Sequence, residues 1–134
     1  MTHSTVLPEG WVKPRGYANG VVAEGRMVFI GGQIGWDPKN PTPTFSDDFT
    51  EQFAATLRNV MAVLISAGGQ AEHLVRLTVY VTDKREYLAA LKPIGQRWKE
   101  IVGPHYPAMA LVQVVALVED RAKVEIEATA VIPR

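Results

Sequence analysis

The run VEIEATAVI, residues 124–132, carries two glutamates two positions apart, and these are the side chains whose type and spacing best suit them to chemistry. Period-2 alternation puts Val124, Ile126, Ala128 and Ala130 on one face of a strand, and Lys123, Glu125, Glu127 and Thr129 on the other. A carboxylate withdrawn from water without a partner gains proton affinity and can serve as a general acid or base. The competing role is an ion pair of Glu125 or Glu127 with Lys123 or with a cation on another subunit. Few other chemistries are open. Cysteine is absent, which removes disulfides, thiolate nucleophiles and zinc–thiolate centres and is compatible with a reducing compartment. His3, His73 and His105 form no i, i+4 pair and no cluster with carboxylates, so no metal is implied. No Ser-His-Asp arrangement follows from spacing. Gly31-Gly32 opens no phosphate loop; it either lets a ligand or neighbouring backbone approach closely or simply ends a strand.

The elements that must carry these residues follow from periodicity. Residues 1–14 read as a polar, proline-interrupted arm. Residues 16–25 and 26–34 read as two strands joined near Glu24-Gly25, a hairpin signal. The proline-rich residues 36–48 form a loop. From about 48 to 67, Phe49, Phe53, Leu57, Val60, Met61 and Leu64 recur at helical spacing, with Glu51, Gln52, Arg58 and Asn59 opposite. Ser46 or Asp47 caps this helix and Gly68-Gly69 ends it in a left-handed turn. Residues 73–83 are rich in β-branched and aromatic side chains and read as a strand. A second helix, about 85 to 102, carries Leu88, Leu91, Ile94, Trp98 and Ile101 on one side, and Pro93 kinks or splits it. Strands at 107–117 and 122–132 follow, joined by a turn at 119–121. The order ββαβαββ predicts a single α+β domain over residues 1–134, one mixed sheet with two helices on one face.

With 134 residues and 47% hydrophobic composition, one core is expected. Fourteen basic and fourteen acidic side chains cancel, leaving no net field for a nucleic acid or an anionic membrane. The start MTHSTVLPEGW has no apolar targeting core and no apolar run could span a bilayer, so a soluble cytoplasmic protein is expected. The strand HYPAMALVQV is apolar on both faces: Met109, Leu111 and Gln113 point one way, Ala110, Val112 and Val114 the other. Met27 to Ile30 are equally two-faced. Two helices cover one face only; the other must meet a second copy of the chain, or the sheet must curl until loops close over it.

RGYANGV, FIGGQI, a helix ending in AGG, LTVYVTD, YPAMALVQV and VEIEATAV, in that order over about residues 15–132, together resemble the Rid/YjgF family of reactive intermediate deaminases, once labelled endoribonuclease L-PSP. The resemblance implies a chorismate-mutase-like fold, a homotrimer with a small-molecule cleft at each subunit interface, and hydrolysis of enamines or imines without a cofactor. It also implies roles for particular residues. A tyrosine lining the pocket falls on Tyr17, and a glutamate that positions the attacking water falls on Glu125. The arginine that clamps a substrate carboxylate falls on Met109.

A thioether cannot replace the planar donor fork of arginine, so 2-iminoacid deamination is not carried over. Met109 either gives the cleft a soft apolar floor, favouring an uncharged or partly hydrophobic ligand, or fills space between subunits. Arg15 and His105, beside matched segments, are candidates for a relocated anion clamp or are solvated loop residues. Tyr17 donates its hydroxyl to a ligand or packs in the core, and Trp36 walls the pocket or packs plainly. Backbone amides near Ala110 and Leu111 would stabilise charge developing on the substrate. The expected function is water addition to a small enamine, imine or related compound, and the alternative is a non-catalytic ligand-binding or regulatory trimer.

Overall fold

The computed structural model describes residues 2–134. Helix α1 (Phe49–Ser66) begins where Asp48, in an extended conformation, accepts the Glu51 amide at 2.9 Å. The cap is therefore one residue later than expected: Asp47 turns outward towards Arg121, and Ser46 Oγ instead accepts the Asp48 amide. Gly68, at φ +88°, ends the helix, with the Gly69 amide reaching back to the Leu64 carbonyl and the Gly68 amide to Ile65, a Schellman turn. The apolar stripe Phe49, Phe53, Leu57, Val60, Met61 and Leu64 is buried as its spacing requires. Gln52, expected on the polar side, is only 1% exposed. Its amide donates to the Ser46 and Arg121 carbonyls and accepts the Lys123 amide at 2.8 Å, tying the helix start to the entry of the last strand.

The main sheet has four strands in the order β3 (Arg26–Ile34), β6 (Val124–Ile132), β4 (Leu74–Val81), β5 (Ala108–Gln113). β6 is antiparallel to both neighbours, and β4 and β5 are parallel. That parallel pair needs a crossover, supplied by α2 (Lys84–Ala89) and α3 (Leu91–Ile101). The helix splits before Pro93, whose missing amide falls in the first turn of α3, where amides have no helical partner. Ile94 and Trp98 are buried, but Leu88 and Leu91, expected beside them, are half-exposed because the break at Ala90 resets the helical phase. The helices cover one face, as expected for the α+β, chorismate-mutase-like fold.

The expected hairpin between residues 16–25 and 26–34 does not form. β2 (Gly20–Val22) pairs instead with β1 (Ser4–Val6), inside the segment expected to be an arm, and the two make a separate antiparallel ribbon. Gly25, at φ +147°, runs so close to the Ile132 carbonyl that a Cβ there would overlap it, and the chain is drawn across the end of β6 rather than back onto β3. The ribbon is pinned by His3 Nε2 to the Val131 carbonyl (2.8 Å) and by Thr2 Oγ1 to Glu72 (2.8 Å). β5 is also shorter than expected, and the apolar residues after it continue as a loop in which Val115 and Val118 are fully exposed.

Leu74, Leu77, Val79, Val81, Val124, Ile126 and Ala130, with no accessible surface, face the helices. The outer face carries Arg76, Thr78 and Tyr80 on β4 and Glu125, Glu127 and Thr129 on β6, flanked by Met27 and Phe29, which are 59% and 73% exposed. No helix covers that face, and among the described residues none is long and apolar enough to cross a membrane.

Gln52→Leu keeps the volume but leaves the Lys123 amide and two carbonyls without their partner. Chemical denaturation is expected to show a loss of about 1–3 kcal/mol, and an unchanged midpoint would mean that these groups are satisfied otherwise.

Candidate functional site

Glu125 lies on the outer face of β6, opposite Ile34 of β3 and Tyr80 of β4, and is half-buried. Two groups that could have occupied it, Lys123 and Tyr80, are engaged elsewhere. Lys123 Nζ pairs with Glu86 at 3.0 Å, and the Tyr80 hydroxyl donates to Glu127 at 2.6 Å. Among the described residues Glu125 has no hydrogen-bond or ion-pair partner, so its acceptor sites are open to a water molecule. Beside it β3 bulges. The register slips by one residue between Ile30 and Gln33, at Gly31 and Gly32, and Gly32 lies against the Glu125 carboxylate. A shallow depression of about 420 Å³ on this face is lined by Phe29, Gly31, Arg76, Thr78, Glu127 and Thr129.

The remaining sequence-derived candidates gather at the far edge of the sheet. Ala18 forms a parallel bridge with Ala108 and its amide donates to the Pro107 carbonyl at 2.9 Å, which sets Tyr17, partly exposed, beside the start of β5. Met109 and Leu111, in register with Leu77 and Val79, point to the helix side and pack half-buried against the core, while Ala110 faces outward. Arg15 is exposed two residues before Tyr17. His105 is held in place, its Nε2 2.7 Å from the Leu74 carbonyl and its own carbonyl accepting Trp98 Nε1 at 3.0 Å. Trp36 packs on Phe45 at 6.1 Å between ring centres, and its carbonyl accepts the Asn59 side-chain amide at 2.9 Å.

One chain therefore brings Tyr17, Met109 and Ala110 together at the edge of β5 and places Glu125 with Gly31 and Gly32 at the other side of the sheet, with β4 between the groups. Met109 and Glu125 point to opposite faces. Sequence reasoning missed the Tyr80–Glu127 contact, though alternation along VYV and VEIE set both side chains on the outer face. Among the described residues no group of three or more histidines or carboxylates could hold a metal ion.

Comparison with known proteins bears on the whole chain. The family model described as Endoribonuclease L-PSP matches residues 12–132. The Escherichia coli protein named "Putative reactive intermediate deaminase TdcF" is 35% identical over 110 residues, covering 80% of each chain. Among solved structures, the Rid-family protein YyfB of Yersinia pestis superposes with a TM-score of 0.84 at 29% identity, covering 98% of this chain and 100% of that one. E. coli TdcF with bound serine superposes at 0.69 with 32% identity, covering 92% and 91%.

The outer-face electrostatics turn on Tyr80. Its hydrogen bond to Glu127 raises the phenol above its ordinary pKa of 10.0, aided by partial desolvation and by the charges of Glu127 and Glu125, with Arg76 opposing. A folded-state pKa raised in this way favours the neutral phenol. Its contribution is complete below pH 10 and fades as pH rises through the folded value. Tyrosinate absorbance should accordingly place one high-pH transition on Tyr80, abolished in Tyr80→Phe and moved downward in Glu127→Gln. A transition unmoved by Glu127→Gln would remove the hydrogen bond as its cause.

Proposed function

The chain belongs to the Rid/YjgF family, and from that premise we propose that it is a homotrimer hydrolysing a small, reactive enamine or imine at clefts between subunits. The observation that supports this reading is the division of the site: Tyr17 and Met109 lie at the β5 edge and Glu125 lies on β6 with β4 between, so that pairing with a second copy would supply the missing half to each. The bare outer face supports it. Met27 and Phe29 present large apolar surfaces whose burial is worth roughly 25 cal/mol per Å². Serine bound to the similar TdcF structure supports a ligand of small-metabolite size. The absence of cysteine suits a cytoplasmic setting.

In the cleft, Glu125 takes a proton from water as its oxygen attacks the C=N carbon. The protonated Glu125 returns that proton to the nitrogen, giving a carbinolamine; the carboxylate then carries the carbinolamine hydroxyl proton to the amine as the C–N bond breaks, so that ammonia and a carbonyl product leave and the carboxylate is regenerated. Amides near Ala110 and Leu111, on the sheet's edge strand, stabilise the developing charge. Met109 supplies no cation, and a missing buried charge pair costs about 2–5 kcal/mol of binding. Substrates without an α-carboxylate are therefore favoured. A second reading, a ligand-binding trimer without turnover, is favoured by one observation: Met109 packs against the helix-side core.

Ammonia release from freshly generated imines, with and without the α-carboxylate, tests these readings. Wild type is expected to prefer imines lacking the carboxylate, Glu125→Ala to lose about a hundredfold or more in rate, and Met109→Arg to gain on 2-iminoacids. No turnover on any imine by an intact trimer would select the binding role. Light scattering is expected to give three copies for wild type and dissociation for Phe29→Arg; a stable wild-type monomer would remove the interfacial site altogether.

A further inference from the structure

Gly31 and Gly32 occupy the same bulge, yet they are glycines for different reasons. Neither has a left-handed φ, so the backbone conformation demands glycine at neither position. A Cβ built on Gly31 meets nothing within 4 Å. One built on Gly32 would overlap Glu125 Oε2 and come within 2.9 Å of its Cδ and 3.2 Å of its Cγ. The Glu125 side chain thus lies in the space a residue-32 side chain would fill. We propose that Gly32 is a positioning residue: its missing side chain is the seat that fixes the Glu125 carboxylate. This rests on the catalytic reading of Glu125.

Two neighbouring carboxylates on β6 are held by different means. Glu127 is held by the Tyr80 hydroxyl, which occupies one of its oxygens. Glu125 has no hydrogen-bonding holder among the described residues; shape alone confines it, between the bulged strand on one side and Tyr80 on β4 on the other. The difference matters for a base. A donor that fixes a carboxylate also stabilises its charged form and weakens it as a proton acceptor, whereas a steric seat sets its direction and leaves the acceptor sites to water. The bulge places Gly32 at this point, since it inserts the extra residue of β3 between the Ile30–Ala128 and Gln33–Ile126 pairs, one step before Ile34 meets Glu125.

The atoms in the way of a Cβ belong to the end of a flexible side chain, so Gly32→Ala shifts the carboxylate and spares the fold. The trimer and its denaturation midpoint are expected to be kept, with kcat for imine hydrolysis falling about ten- to a hundredfold while KM changes little. Carboxyl 13C NMR reads the seat without turnover: Gly32→Ala is expected to move the Glu125 resonance and to leave that of Glu127 in place. If wild type and Glu125→Ala prove equally active, the catalytic reading falls and the Glu125 resonance still decides the seat. An unchanged Glu125 resonance in folded Gly32→Ala overturns the proposal. Should Gly32→Ala lose stability, Glu125→Ala in the same chain vacates the space and is expected to restore it; failure of that rescue would assign Gly32 to the backbone and overturn the proposal equally.

Discussion

β6 is bonded along both edges, and nearly everything else in the molecule is arranged around that fact. Its inward residues Val124, Ile126 and Ala130 have no accessible surface and form the floor on which α1 lies. Its outward residues inherit the rigidity of a central strand, so Glu125 and Glu127 project from a backbone that cannot slide without dismantling two ladders. A chemical group on a loop would need its own support. Here the core supplies it, because the same alternation that buries one face presents the other.

The strands and α1 were legible because each expresses a short-range period: every third or fourth residue apolar from Phe49 to Leu64, every second from Val124 to Ala130. Pro93 announced the helix break by chemistry local to itself. What escaped depends on partners far away in sequence. Gln52 looks like a surface residue until Ser46, Arg121 and Lys123 close around it, and β1 looks like an arm until β2 lies alongside. The outer-face direction of Glu125 was readable from alternation, and its freedom was not. That depended on Lys123 turning to Glu86 and Tyr80 to Glu127, contacts across separate elements. Likewise the direction of Met109 followed from its strand, while its separation from Glu125 required the β4–β5 and β4–β6 registers.

The two faces of the sheet also do different work. The inner face is uniformly apolar and matched to helices of the same chain. The outer face mixes Phe29 and Met27 with Arg76, Glu125 and Glu127, a pattern too polar for a core and too apolar for open water. Such a composition resembles a protein interface, in which apolar anchors exclude water and a few charged groups set register.

The pairing of β3 with β6 joins Arg26 to Ile132, residues separated by most of the described chain. β4 waits for the same strand on its inner edge. Folding therefore cannot proceed from one end: the early segments hold their exposed edges and apolar faces unsatisfied until residues 124–132 arrive, and the helical crossover that makes the β4–β5 pair adds a further long closure. Late completion of the central strand makes the arrival of residues 124–132 the step that commits the rest. It also leaves the half-made protein most exposed to sticking to its neighbours before that step.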